Sequence, residues 1–172
     1  MTVDLTVHLG LLTLKNPIAT ASGTFGYGLE FAEFVDLASL GAISVKGLSL
    51  RSCLGNPPPR ICETDAGMLN AIGLQNVGIE EFLGEKLPKL HEAGATVIAN
   101  VWGDTEAEYR AVVERIGDDP RVAAVELNVS CPMPASTVGM HIGKSAERTY
   151  QQAKAGAAAA KVPFTVTLTP NV

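Results

Sequence analysis

Apolar residues along the chain switch repeatedly between short continuous runs and longer stretches in which they recur every three or four positions, the signature of alternating strands and helices. After an N-terminal segment whose alternating apolar positions predict a short β-hairpin, "NPIATAS" (16–22) reads as a first strand. Residues 29–41, "LEFAEFVDLASLG", predict a helix, because Phe31, Phe34, Val35 and Ala38 fall on one face ahead of Gly41. "GAISVKG" (41–47) is the second strand. Residues 78–94 return to the helical period through Ile79, Phe82, Leu83 and Leu90, with Pro88 weakening the later turns and Gly94 ending them. "ATVIANVWG" (95–103) is the third strand. Thr105 and Glu108 then stand at capping-box spacing before a helical face of Tyr109, Val112, Val113 and Ile116. "VAAVELNVS" (122–130), an Ala-rich helix over 144–161 and "PFTVTLT" (163–169) complete five strands alternating with four helices.

Such alternation implies an α/β fold of parallel strands joined by helical crossovers, either a doubly wound open sheet or a (β/α)8 barrel. The glycines of "ASGTFGYG", at positions 23, 26 and 28, lack the G-x-G-x-x-G spacing of a dinucleotide-binding turn. Unusual polar residues instead collect just after strand ends: Ser22 and Gly23, Lys46 and Gly47, Asn100, then Asn128 and Cys131. That is where a TIM barrel assembles its active site. The expected fold is therefore a TIM (β/α)8 barrel with about the first five β/α units present, an N-terminal β-hairpin, and a single partial domain over 1–172. One excursion, 48–77, is too long for an ordinary strand-to-helix loop. Loops of that size are usually functional, and its "MLNAIGL" is apolar enough to pack down over something.

Composition narrows the partners. Hydrophobic residues make up 47% and charged residues 18%, and the formal charge of −5 comes without a basic run, so no nucleic-acid partner is expected. The start "MTVDLTVHLG" has no basic segment leading into an apolar one, and no window is apolar enough to span a bilayer. A cytoplasmic protein without a membrane segment is the expectation. Three cysteines (Cys53, Cys62 and Cys131) without a C-x-x-C pair, and three scattered histidines, predict neither a disulfide framework nor a metal site. Cys131, at the end of an apolar strand and followed by Pro132, is either a buried thiol or a functional one.

Four stretches, "ASGTFGYG", "GNPPPRICETDAGMLNAIGLQNVG", "VIANVWG" and "ELNVSCP", together resemble the flavin-bearing catalytic subunit of class 1B dihydroorotate dehydrogenase, collinearly from Leu5 to about Cys131. The resemblance implies a barrel that binds flavin mononucleotide (FMN) and oxidises dihydroorotate to orotate in pyrimidine synthesis. It also implies a homodimer and a second subunit, carrying FAD and an iron–sulfur cluster, that passes the electrons to NAD. Three cysteines cannot make a four-thiolate cluster, so any cluster belongs to that partner. Carried over by position, Ala21, Ser22, Gly23, Lys46, Gly47, Asn100 and Asn128 would bind the flavin. Lys46, Asn70, Ala71, Ile72, Gly73, Leu74 and Asn128 would bind substrate, and Cys131 would be the base. The chemistry suits these types: a base for the carbon acid, a cation for developing negative charge, and amides matching the edge of a planar pyrimidine.

The chain departs from the family in three places. Met133 stands where an Asn is usual, Gly47 where a Ser is, and Thr167 where a lysine would approach the flavin. Barrels of this type take typically about 250 residues, whereas the sequence stops after its fifth strand at 172. A truncated or incomplete dehydrogenase chain is the first expectation. The alternatives are a dihydropyrimidine dehydrogenase-like enzyme and a non-catalytic half-barrel that acts as a binding or assembly module.

Overall fold

A computed structural model describes residues 3–130, 142–168 and 170. The predicted N-terminal hairpin is present: β1 (Val7–Leu9) pairs antiparallel with β2 (Leu12–Leu14). The chain then lays down β3 (Ala19–Thr20) and β4 (Ala42–Ser44). The excursion adds an antiparallel ribbon of β5 (Ile61–Thr64) and β6 (Gly67–Asn70), and β7 (Val97–Val101), β8 (Val122–Asn128) and β9 (Phe164–Thr167) follow. The central sheet is wholly parallel in the order β3-β4-β7-β8-β9. Each strand lies beside its predecessor in the chain, with no reversal of order. A doubly wound sheet reverses at a switch point, so the sheet is a run of barrel staves, as expected.

Alternation along the strands sorts the side chains onto two faces. Ile43, Val45, Val97, Ala99, Val101, Val125 and Leu127 point to the helices, where they meet Phe82, Leu87, Leu90, Tyr109, Val112, Val113 and Ile116 in one core. The opposite, concave face begins apolar, with Ala42, Ile98 and Ala124 covered by Leu12 and Leu14 of the hairpin. Toward the C-terminal strand ends the same face becomes polar, through Ser44, Asn100 and Glu126. At the entry to β4 a Cβ on Gly41 would overlap the Asn16 carbonyl oxygen, so only glycine lets these two segments approach.

Three helical regions match the pattern. The stretch after Gly78 runs as α1 (Ile79–Glu81), a π-helical turn (Phe82–Lys86) and α2 (Leu87–Glu92). Pro88 does not break it. A proline N–H is missing and its ring crowds the carbonyl four residues back, and widening the preceding turn, so that Leu87 N donates to Phe82 O, relieves the conflict. α3 (Glu106–Ile116) is capped by Thr105, whose hydroxyl accepts from Glu108 N at 3.2 Å. α4 (Ala146–Ala159) is capped by Ser145. Among the described residues no helix is long and apolar enough to cross a membrane.

Two expectations need correction. Residues 29–41 are not a helix but two 3-10 turns, Leu29–Phe31 and Leu37–Ser39. Between them the Asp36 carboxylate accepts from Ala38 N at 3.0 Å, a local bond that competes with helical pairing, and Phe34 is left 80% exposed. Phe31 stacks instead on Phe25, with ring centroids 4.2 Å apart. Nor does "MLNAIGL" pack down as a whole: all four residues of β6 are exposed, Met68 and Leu69 included, and only Leu74 packs against the core.

Replacing the fully buried Phe82 by Ala is expected to cost about 3–5 kcal/mol of unfolding free energy, whereas Phe34→Ser should change it by no more than about 0.5 kcal/mol. Urea denaturation followed by circular dichroism measures both, and comparable losses at the two positions would contradict the exposed placement of Phe34.

Candidate functional site

Parallel strands bring their C-terminal ends to one edge of the sheet, and the predicted residues of β3, β4, β7 and β8 meet there. The Ser22 hydroxyl donates to Val45 O at 2.9 Å, tying the exit of β3 to that of β4. Ala21 and Gly23 beside it are exposed, and Gly23 has φ +82°. Lys46 donates its backbone N–H to Gly26 O at 2.8 Å. Its side chain is half-buried and, among the described residues, has no carboxylate partner.

Gly47 and Asn100 adjoin. An ideal Cβ on Gly47 would lie 3.0 Å from Asn100 Oδ1 and 3.1 Å from Trp102 Cδ1. The serine usual here in the resembling family would be crowded, so the glycine is matched to Trp102. Asn100 is 1% exposed, and among the described residues neither Oδ1 nor Nδ2 has a hydrogen-bond partner. An unsatisfied buried amide costs about 1–3 kcal/mol, and such a group in a packed strand calls for an explanation.

Asn128 lies one strand over. Its Oδ1 accepts from Ser130 N at 3.2 Å and from Ser130 Oγ at 3.0 Å, and Tyr109 Oη donates to its backbone carbonyl at 2.6 Å. The strand end is thereby fixed from the helix side. Cys131, the expected base, and Met133 lie outside the described residues.

Sequence reasoning missed a second polar group on the concave face. Glu126 accepts one hydrogen bond from Ser44 Oγ and another from Thr167 Oγ1, one on each carboxylate oxygen. Ser44 and Glu126 help line a cavity of about 330 Å³ together with Thr20, Ile98 and Ala124. The signal was present: Glu126 occupies an inward position between Ala124 and Asn128 in an otherwise apolar strand. Trp102, also missed, falls in phase with Asn100 just beyond the strand.

The Asn70–Leu74 stretch stands apart from these strand ends. Asn56 Nδ2 donates to Ala71 O at 2.7 Å, Asn56 N to Ile72 O at 3.0 Å, and Ala71 N to Arg60 O at 2.9 Å. Cys53 Sγ contacts Gly73 O at 3.5 Å, while Gly73 and Leu74 both have positive φ, +76° and +56°. The bonds of the stretch thus run within the excursion. Its base is anchored by Asn76, whose Oδ1 accepts from Gly78 N at 2.8 Å and Ser49 N at 3.2 Å. Among the described residues no three His, Cys, Asp or Glu side chains gather as a metal site.

Comparison with known proteins bears on the family and the fold. The family profile described as dihydroorotate dehydrogenase matches residues 4–172. The dihydroorotate dehydrogenase B (NAD(+)) catalytic subunit of Geobacter sulfurreducens is 50% identical over 169 residues, covering 98% of this chain and 55% of that protein. The subunit of the same name from Latilactobacillus sakei is 51% identical over 174 residues, covering 100% and 56%. A crystal structure of DHODH from Eimeria tenella in complex with ferulenol shares the fold, with a TM-score of 0.71 at 19% identity over 98% of this chain and 53% of that one. The chain spans about half the length of the curated relatives it matches.

The unpartnered carboxamide has a thermodynamic consequence. Replacing Asn100 by Leu, of similar volume, removes two unsatisfied polar atoms and should raise the stability of the ligand-free chain by about 1 kcal/mol. A shift of the urea midpoint at constant slope measures it, and a lower midpoint would mean that the amide has partners in solution.

Proposed function

This chain belongs to the dihydroorotate dehydrogenase family, and we propose that it serves the oxidation of dihydroorotate to orotate with flavin mononucleotide as the bound acceptor. The observation that carries the reading is Asn100, buried with both amide atoms unpartnered at the C-terminal end of β7. Gly47 packs directly against it, and the adjacent Lys46 has no carboxylate partner among the described residues. Residues of this kind fit the polar edge of a planar, anion-stabilised ring. The flavin supplies the hydride acceptor that no side chain offers.

The residues then divide the work. Ala21, Ser22, Gly23, Gly47, Asn100 and Asn128 hold the cofactor, and Lys46 lies between cofactor and substrate, where its ammonium offsets developing negative charge. Asn70, Ala71, Ile72, Gly73 and Leu74 present amide groups and an apolar wall to the substrate, which requires the excursion to turn toward the strand ends. Cys131 Sγ, as thiolate, takes the proton from the substrate carbon while two electrons leave with the hydride. The same reading takes in residues 1–172 as part of one barrel domain, a homodimer in the cytoplasm, and an FAD- and iron–sulfur-bearing partner subunit that reoxidises the flavin. It is supported by the naming of the relatives as catalytic subunits and by a count of three cysteines.

The test begins with the visible spectrum of the chain after it is mixed with flavin mononucleotide and freed of excess by gel filtration. Retained flavin that bleaches anaerobically on addition of dihydroorotate supports the proposal, and a colourless protein opposes it. In the bleaching assay Cys131→Ser should slow reduction by about 10²–10⁴-fold, the usual contribution of a positioned base, with retained flavin unchanged. An unaltered rate would remove Cys131 from the role of base.

A further inference from the structure

Trp102 has no part in the reading above, yet it shares the most unusual feature of the site. The residue is 8% exposed, and among the described residues its Nε1 has no hydrogen-bond partner. The backbone around it is fully engaged: Trp102 N donates to Leu48 O at 2.9 Å and Leu48 N to Asn100 O at 2.9 Å. From the point where a Cβ on Gly47 would stand, Asn100 Oδ1 is 3.0 Å away, Trp102 Cδ1 3.1 Å and Trp102 Nε1 3.8 Å. Asn100 and Trp102 therefore both pack against the Cα of Gly47, closer than a side chain there would allow. Three polar atoms lack partners there: a donor, Asn100 Nδ2; an acceptor, Asn100 Oδ1; and a second donor, Trp102 Nε1.

An indole N–H can only donate, and a carboxamide both donates and accepts. Oδ1 is the Asn100 atom nearest Gly47 and faces the spot that the indole edge also reaches, so the acceptor lies toward the second donor. Two donors about an acceptor complement an imide edge, in which two carbonyls flank an N–H. A buried donor without a partner is costly and rare. Phenylalanine would fill this apolar space without that cost, so the indole nitrogen needs a reason of its own.

We propose that Trp102 is a ligand-binding residue whose Nε1–H donates to a carbonyl of a planar cyclic imide, the N–H of that imide being received by Asn100 Oδ1. The inference rests on the dehydrogenase reading, in which two molecules carry such an edge, the flavin ring and the pyrimidine substrate. Binding through it requires what seals these atoms in the free chain to move aside.

Trp102 is the only tryptophan in the chain, so its indole N–H gives a single, assigned signal in a ¹⁵N–¹H spectrum. The experiment titrates the whole chain with flavin mononucleotide and, separately, with orotate, following that signal, and measures both affinities by equilibrium dialysis for the chain and for Trp102→Phe. The expected result is a downfield shift of the indole proton at saturation and a loss of about tenfold in affinity for one ligand in the variant, the scale of one hydrogen bond. Weakened flavin binding assigns the imide to the flavin, and weakened orotate binding to the substrate.

An indole signal that stays in place at saturation overturns the assignment whether or not the variant folds. Unchanged affinities for both ligands in a folded variant overturn it too, leaving the dehydrogenase reading intact. Failure of the unaltered chain to bind either ligand defeats that reading and this inference with it.

Discussion

A parallel strand buried on both faces can carry polar groups only where something satisfies them, and this constraint organises the molecule. All five residues of β7 are buried. On the helix side Val97, Ala99 and Val101 meet only apolar neighbours and raise no difficulty. On the concave side Ile98 is followed by Asn100, hydrocarbon giving way to polar atoms in one step, while Trp102, just beyond the strand, joins the helix-side core. Apolar burial at the hairpin end, under Leu12 and Leu14, gives way to polar groups at the other end. The sheet thus has an apolar end and a polar one, and in barrel enzymes generally the C-terminal strand ends carry the active site.

Glu126 and Asn100 meet the constraint in opposite ways. Glu126 is satisfied inside the chain, since Ser44 and Thr167 each donate to one of its oxygens. Asn100 is not satisfied at all. A satisfied group fixes the relative position of its strands, here β4, β8 and β9 in one hydrogen-bonded set. An unsatisfied group keeps its hydrogen-bonding capacity for something else. Unmet bonds at Asn100 and Trp102 lower the stability of the fold, and features of this kind cluster at functional sites in proteins generally.

Much of this was legible in the sequence, for physical reasons that differ by element. The strands were readable because parallel strands are continuous apolar runs, and α3 because Thr105 and Glu108 announce its start while Tyr109, Val112, Val113 and Ile116 share one face. Residues 29–41 misled because Phe31 and Phe34 have helical spacing but Asp36 closes a local turn between the two short 3-10 segments. The excursion was readable as an insertion, not as an exposed ribbon, because periodicity does not say which third layer covers a two-stranded pair. Lys46, Gly47, Asn100 and Asn128 were found from their place at strand ends, with the family resemblance giving them roles. Ser44, Glu126 and Trp102 escaped because single inward positions acquire meaning only when register sets them beside residues distant in the chain, Ser44 and Glu126 being 82 residues apart.

The exchange of lysine for Thr167 can now be judged by its neighbours. A lysine there would face the Glu126 carboxylate, and much of its charge would be spent on that partner. Buried ion pairs gain little net free energy over well-packed neutral alternatives, because both charges must be desolvated. Two hydroxyls satisfy Glu126 without bringing in a second charge, so the substitution need not weaken the fold. It does change the field: a carboxylate bonded to neutral donors leaves on the concave face a negative potential that a lysine would offset. Among the described residues Lys46 is the strand-end cation without a carboxylate partner. No described carboxylate offsets its charge, so this end of the sheet keeps one positive group in addition to the negative one at Glu126.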